Sequence, residues 1–231
     1  MKRYIILITM LLALKNIQAQ TKMIIRDVDG NTFTYSLNEV RIVEFDEGGL
    51  EAVSLGLPSG TQWGSCNVGG LHPEDAGNFF AWGEPTDKSI YNLVQYKLYD
   101  TVHGTYPYED ILEDISASKY DGATSNLGKP WKIPTKTQME ELIKECAWTW
   151  TITNGIEGYT VTGPNGKSIF LPAAGKRINL EYEDKGISGY YWASSLADRS
   201  DQESFTLEIR NGKKTIDYEY RYIGLPIRPV Q

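Results

Sequence analysis

The chain has 231 residues, with 23 basic and 30 acidic side chains and a formal net charge of −7. That balance excludes the basic footprint of a nucleic-acid or anionic-membrane binder. An aromatic content of 12 %, spread along the chain, excludes a disordered one.

Residues 1–20 read as a secretory leader. Lys2 and Arg3 precede the apolar run "YIILITMLLAL", which is too short to span a bilayer. Ala19 is the small residue before a cut near Gln20 or Thr21, and no cysteine stands there for a lipid. An uncleaved anchor is the rival reading. Cleavage removes Lys2, Arg3 and Lys15 and no acid, so 23 basic residues become 20 against 30 acidic, a net of −10. No other run is apolar and long enough for a membrane helix, so the expected location is secreted or at the cell surface.

Residues 21–48 form an appendage. "KMIIRDV" and "NTFTYSL" flank Asp29-Gly30, a tight-turn signal, and "EVRIVEF" at 39–45 adds a third short strand. Such a meander cannot bury a core alone. Residues 46–52 are the linker, and the main domain covers 53–231.

That domain opens with Gly- and Pro-rich turns and a short strand through Trp63 and Cys66. Residues 90–128 show little periodicity and read as a long, tyrosine-rich excursion. The clearest helix follows at about 135–146. Thr135 and Gln138 make a capping box, and Met139, Leu142, Ile143 and Cys146 form one apolar face.

Strands and turns then run to the end. "WTWTIT" breaks at Asn154-Gly155, and "GYTVTG" and "KSIFLPAAG" flank Pro164-Asn165-Gly166. "GYYWASS" is a strand in which alternation sets Tyr191 against Tyr190 and Trp192. "SFTLEIR" and "KTIDYEYRYI" flank Asn211-Gly212, which predicts a type I′ hairpin. In the last strand Tyr218, Tyr220 and Tyr222 share one side, and Asp217, Glu219 and Arg221 the other. Trp63, Trp82, Trp131 and Trp148 are expected in the core, with Trp192 as an anchor; Trp150 shares the face of Trp148. One capped helix with many short strands gives an α+β class.

Cys66 and Cys146 are the only cysteines. Export makes one bridge between them the expectation, and two buried free thiols the alternative.

Six segments follow in order: "LGLPSGTQWGSCNVG", "FFAWGEPTDKS", "WKIPTKTQMEEL", "NGKSIFLPAAG", "GYYWASS" and "IRPV". Together they resemble the Fibrobacter succinogenes major paralogous domain, common in secreted proteins of Bacteroidetes, over residues 53–231. "DGNTFTYSLNEVRIVEF" resembles the strand-turn-strand segment placed before such domains. That family is similar in turn to the C-type lectin-like fold of formylglycine-generating enzymes and retroelement-diversified receptors. The resemblance implies this fold, with antiparallel sheets, the capped helix and an N-terminal β meander, and an exported ligand-binding habit. "YWASS" and "IRPV" depart mildly from the relatives' "YWSSS" and "VRPV".

Catalytic signals are missing from the sequence. There is no His-Glu-x-x-His, Gly-x-Ser-x-Gly or phosphate-binding loop, and His72 and His103 lie in turn-rich segments. No cysteine follows Cys146, so the reactive pair of the formylglycine-generating relatives has no counterpart. Glu84-Pro85-Thr86 matches only part of a calcium-lectin triplet, and Asp198, Asp201 and Glu203 are a second acidic group. Calcium is unsupported, and no cofactor or metal is expected.

By position, the receptors' ligand window falls on residues 196–225. The candidate ligand-binding residues there are Asp198, Arg199, Asp201, Arg210, Asp217, Glu219, Arg221 and Tyr222. An ordinary polar sheet edge is the alternative for each. The expected function is non-catalytic recognition of an extracellular protein or glycan, with no nucleic-acid partner. A structural subunit of a surface fibre or adhesin is second, and an enzyme of the formylglycine-generating fold third.

Overall fold

The computed structural model describes residues 22–26, 32–36, 49–99, 103, 113–198 and 200–231. The chain divides into two units, Met1–Glu47 and Gly48–Gln231. The expected leader, the Asp29-Gly30 turn and the third strand at 39–45 lie outside the described residues. In the first unit, β1 (Lys22–Arg26) and β2 (Thr32–Ser36) pair antiparallel.

The second unit is mostly antiparallel β with few helices, an α+β arrangement. In chain order it contains β3 (Ala52–Ser54), β4 (Gln62–Gly64), a short 3-10 turn at Leu93–Gln95, α1 (Gly122–Leu127) and α2 (Lys136–Glu145). Then come β5 (Ala147–Thr153), β6 (Ile156–Thr162), β7 (Ser168–Pro172), β8 (Lys176–Ile178) and β9 (Glu181–Glu183). The last are β10 (Ser188–Leu196), β11 (Glu203–Arg210) and β12 (Lys213–Tyr220). The sheets are β3-β4, β5-β6-β7, β8-β9 and β10-β11-β12.

Helix α2 starts as its sequence requires. The Thr135 hydroxyl accepts from the Gln138 amide at 3.2 Å, and the Gln138 side chain accepts from the Thr135 amide at 2.9 Å. Met139 and Leu142 are buried on its inner face. The hairpins obey their turn residues, with one change of type. Asn154 and Gly155 both take positive φ (49° and 82°), the mirror-image turn that matches strand twist. At Asn211-Gly212 only the glycine does (78°), so the type I′ turn expected there is absent. An outside contact holds that turn: the Tyr159 hydroxyl donates to the Arg210 carbonyl and accepts from the Gly212 amide, both at 3.1 Å.

Two large clusters form the core, and β10 runs between them. The first joins Trp63, Met139, Leu142, Tyr159, Leu171, Tyr191, Phe205 and Leu207. The second joins Phe80, Trp82, Ile115, Ile133, Trp192, Leu225 and Ile227. Tyr191 and Trp192 are adjacent, both fully buried, and each serves a different cluster because strand side chains alternate. Trp63 and Trp82 are buried as expected. Trp131 is only half-buried, and Trp148 and Trp150 are half-buried with both rings edge-on to Tyr159.

Irregular backbone in residues 79–82 is satisfied by aromatic donors. The Trp192 indole donates to the Phe80 carbonyl at 2.6 Å, and the Trp82 indole returns a bond to the Ala193 carbonyl at 2.9 Å. Tyr91 and Tyr96 hydroxyls donate to the carbonyls of Phe79 and Trp82. Buried loops survive only when their polar groups are met in this way.

Helix α1 and the β8-β9 hairpin break the excursion and the strand reading at places the sequence pattern did not mark. Asp121 explains α1. One carboxylate oxygen caps Thr124 at 2.9 Å, and the other accepts from Ala117 at 2.7 Å and Ile133 at 3.0 Å. Asp121 is 0 % exposed, so these donors have no water to replace it. Asp121→Ala is expected to cost on the order of 3 kcal/mol or more of stability, because three amides lose their acceptor together. Urea denaturation measures it; a cost near zero would contradict this role.

Candidate functional site

The face of β10-β11-β12 turned away from the first cluster carries a row of polar side chains. Registers fix its composition. Tyr190 lies across from Glu208, Glu208 from Thr215, and Thr206 from Asp217; Ser204 lies across from Glu219, while Trp192, across from Thr206, belongs to the second cluster and leaves Thr206 and Ser204 buried. Alternation adds Lys213 and Arg210 to this side, while Ile216 and Tyr218 pack on the first cluster.

Its charges are set in cross-strand pairs. Lys213 Nζ meets Glu208 Oε2 at 2.7 Å, and Lys176 Nζ, reaching from β8, meets Glu219 Oε2 at 2.7 Å. Lys176 also sits 4.9 Å over the Tyr190 ring, whose hydroxyl donates to Asp184 Oδ2 at 2.7 Å. Burial, and then this bond, push the Tyr190 phenol well above its ordinary pKa, so it stays a donor. Asp217 stands between the two ion pairs, half-buried, its Oδ1 accepting from the Tyr218 amide at 2.9 Å.

The eight candidates therefore do not form one cluster. Asp217, Glu219 and Arg210 share the polar face, with Arg210 exposed at the far end of β11. Asp198 belongs to the opposite side, where its Oδ1 accepts from the Tyr218 hydroxyl at 3.1 Å. Arg199 lies outside the described residues. Asp201 is half-buried, and its backbone carbonyl accepts from Arg221.

Arg221 is the clear correction. It was expected beside Asp217 and Glu219 on an exposed face, yet it is 1 % exposed. Strand β12 ends at Tyr220, so alternation stops, and the guanidinium turns in over Trp82 at 4.8 Å and Tyr96 at 5.5 Å. Its Nε donates to the Tyr96 hydroxyl at 3.0 Å. Tyr222 is half-buried against the second core cluster and stacks with Tyr220 at 5.4 Å between ring centres. Burial raises its pKa.

Other candidates are used structurally. Glu84 is buried, accepts from the Lys97 amide at 2.7 Å and pairs with Lys88 at 2.8 Å. Among the described residues, no group of three or more His, Cys, Asp or Glu side chains could hold a metal. His72 is half-buried in a turn, and His103 is exposed. Neither was placed with a catalytic partner by sequence.

Sequence reasoning missed a groove of about 590 Å³ beside the β6-β7 sheet, lined by Glu74, Asp75, Glu157, Ala173 and Lys185 among others. Its carboxylates are already engaged. Asp75 Oδ2 accepts from the Leu71 and His72 amides, which holds its pKa low. Glu74 accepts from Asn154, and Glu157 from the Trp150 indole. No sequence motif marks this groove, because its residues come from four separate segments.

No protein-family model, curated protein or solved structure matches the chain. Among the described residues, no helix is long and apolar enough to cross a membrane.

The expected disulfide is also corrected: Cys66 and Cys146 are both free thiols. Cys66 is buried and donates to the Gly70 carbonyl at 3.2 Å, while Cys146 caps the end of α2 against the first cluster. Burial, and then Glu141 and Glu145, push the Cys146 thiol up to about 11. Its thiolate fraction at pH 8 is then about two orders of magnitude below that of an ordinary cysteine. Alkylation of the native protein at pH 8 is expected to be slow at Cys146 and to accelerate about tenfold per pH unit up to pH 10. Mass spectrometry without reductant reads both points; fast labelling at pH 8, or a bridged mass, would contradict them.

Proposed function

We propose that the chain is an exported, non-catalytic recognition protein that binds a protein or glycan through the polar face of its last sheet. The observation carrying this reading is the arrangement of Glu208, Lys213, Asp217, Glu219 and Tyr190 on strands whose other face is locked into the core, with Lys176 of β8 and Asp184 reaching in to pair with Glu219 and Tyr190. Donors and acceptors held on rigid strands lose little entropy when a ligand binds. Mixed charge with tyrosine suits recognition, since tyrosine adds contact area and a polar tip.

The six-segment resemblance to the Fibrobacter succinogenes major paralogous domain supports a C-type lectin-like fold for residues 53–231. It also supports using this sheet for ligands. The leader-like residues 1–20 support export. The competing assembly role draws on the β1-β2 hairpin, a type of element suited to joining subunits.

The test is a screen of glycan arrays and purified extracellular proteins, run with calcium and with chelator. Asp217→Ala and Glu219→Ala are expected to weaken a captured ligand about tenfold or more. Asp198→Ala, on the opposite side, should leave it unchanged. Binding that depends on Asp198 and not on Asp217, or no binding to any probe, would overturn this assignment.

A further inference from the structure

Among the described residues, strand β5 is an open edge. It pairs with β6 alone, in unbroken register from Ala147↔Thr162 to Thr153↔Ile156. Among the described residues, no further backbone hydrogen bond or isolated bridge reaches it. Its sequence, "AWTWTIT", holds no charge, no proline and no glycine. Edge strands are normally protected by a charge, a proline or a bulge, because their free amides and carbonyls template pairing with another chain. β5 has none of these devices.

The hairpin sets which groups are free. A two-residue turn at Asn154-Gly155 makes Thr153↔Ile156 a pair that exchanges both hydrogen bonds. Residues at the same parity, Thr151, Thr149 and Ala147, likewise bond to β6. The amides and carbonyls of Trp148, Trp150 and Ile152 therefore point out from the edge. Ile152 is 66 % exposed, and both tryptophans are half-buried beside Tyr159.

We infer that the open edge of β5 is an interface for a second copy of this chain, paired antiparallel about a two-fold axis at Trp150. The strand is complementary to itself in this register. Trp150 meets Trp150 of the partner subunit, and Trp148 meets Ile152 of the partner subunit. Every outward amide and carbonyl at these positions then finds a partner, with no offset left over. The side-chain pairs are aromatic with aromatic and aromatic with β-branched, which favour strand pairing, and Thr149 falls opposite the partner's Thr151. No like charges meet across the axis. A closed two-fold contact of this kind stops at a dimer rather than a fibre. It lies on a different sheet from the polar face proposed for ligand binding, so either could hold without the other.

Sedimentation of the full chain, exported through its own leader, tests the pairing. A concentration-dependent species of twice the single-chain mass is expected. Ile152→Pro removes one outward amide without touching the bonds to β6, and Thr149→Lys adds a charge at the exposed edge. Each should weaken the dimer by about tenfold or more. Near-UV circular dichroism confirms that each variant keeps the native fold, and Thr149→Lys serves if Ile152→Pro does not. Hydrogen exchange gives the register. Amides of Trp148, Trp150 and Ile152 should gain protection on association, while those of Thr149 and Thr151 stay protected throughout. A monomer at all concentrations would overturn the inference. So would a dimer indifferent to Thr149→Lys, or one without added protection at those three amides.

Discussion

Everything in the larger unit depends on β10 being buried on both faces. A strand in that position must supply apolar or satisfied side chains, and Tyr191, Trp192 and Ala193 do: the Tyr191 hydroxyl and the Trp192 indole each donate to a buried carbonyl. Tyr191 and Ala193 fill the first cluster while Trp192 fills the second. The two exchanged indole bonds, Trp82 to Ala193 and Trp192 to Phe80, fasten this strand to an irregular segment more than a hundred residues away in sequence. Removing either face would leave the other cluster without its floor.

Backbone in the loops and at strand edges is held by single polar side chains sent into the interior. Asp121 gathers three amides. Arg228 does the converse: fully buried, it donates to the carbonyls of Gly64 and Phe170 at 3.0 and 2.8 Å. Burial lowers its pKa, with Tyr191 and Cys66 nearby acting against that shift. A guanidinium bound in this way ties β4, β7 and the chain end together, and lysine could not reproduce its fork. Scaffolding of this kind explains why so many tyrosines, arginines and tryptophans are interior. It also leaves the outer side of β12 and the Glu208–Arg210 end of β11 as the place where fixed polar groups meet solvent.

The parts legible in the sequence are those governed by neighbours a few residues apart. Thr135 with Gln138 marked α2 to within a residue, and the Asn-Gly and Pro-Asn-Gly turns marked the hairpins. Alternation separated Tyr191 from Trp192. Helix α1 was not legible because its six residues, "GATSNL", carry no apolar period, and its real signal is the buried Asp121, which binds Ala117 and Ile133 on either side of the helix as well as capping Thr124. Part of the candidate site followed from position, in Asp217, Glu219 and Arg210, while Glu208 and Lys213 stand inside the same window without a sequence signal to single them out. The rest did not: Lys176, Asp184 and Tyr190 come from outside the window that was read, and Arg221 leaves the face because the strand ends one residue before it. Free thiols were equally hidden, since two cysteines in a sequence carry no record of where their sulfurs point.

Native-state hydrogen exchange in Trp192→Ala, compared with the unaltered chain, probes the double role of β10 most directly. If one strand supports both clusters, the amides of Phe80 and Leu225 and those of Val161 and Leu171 should lose the same protection free energy, on the order of 3–5 kcal/mol. Loss confined to Phe80 and Leu225, with Val161 and Leu171 unmoved, would contradict a core fastened through β10.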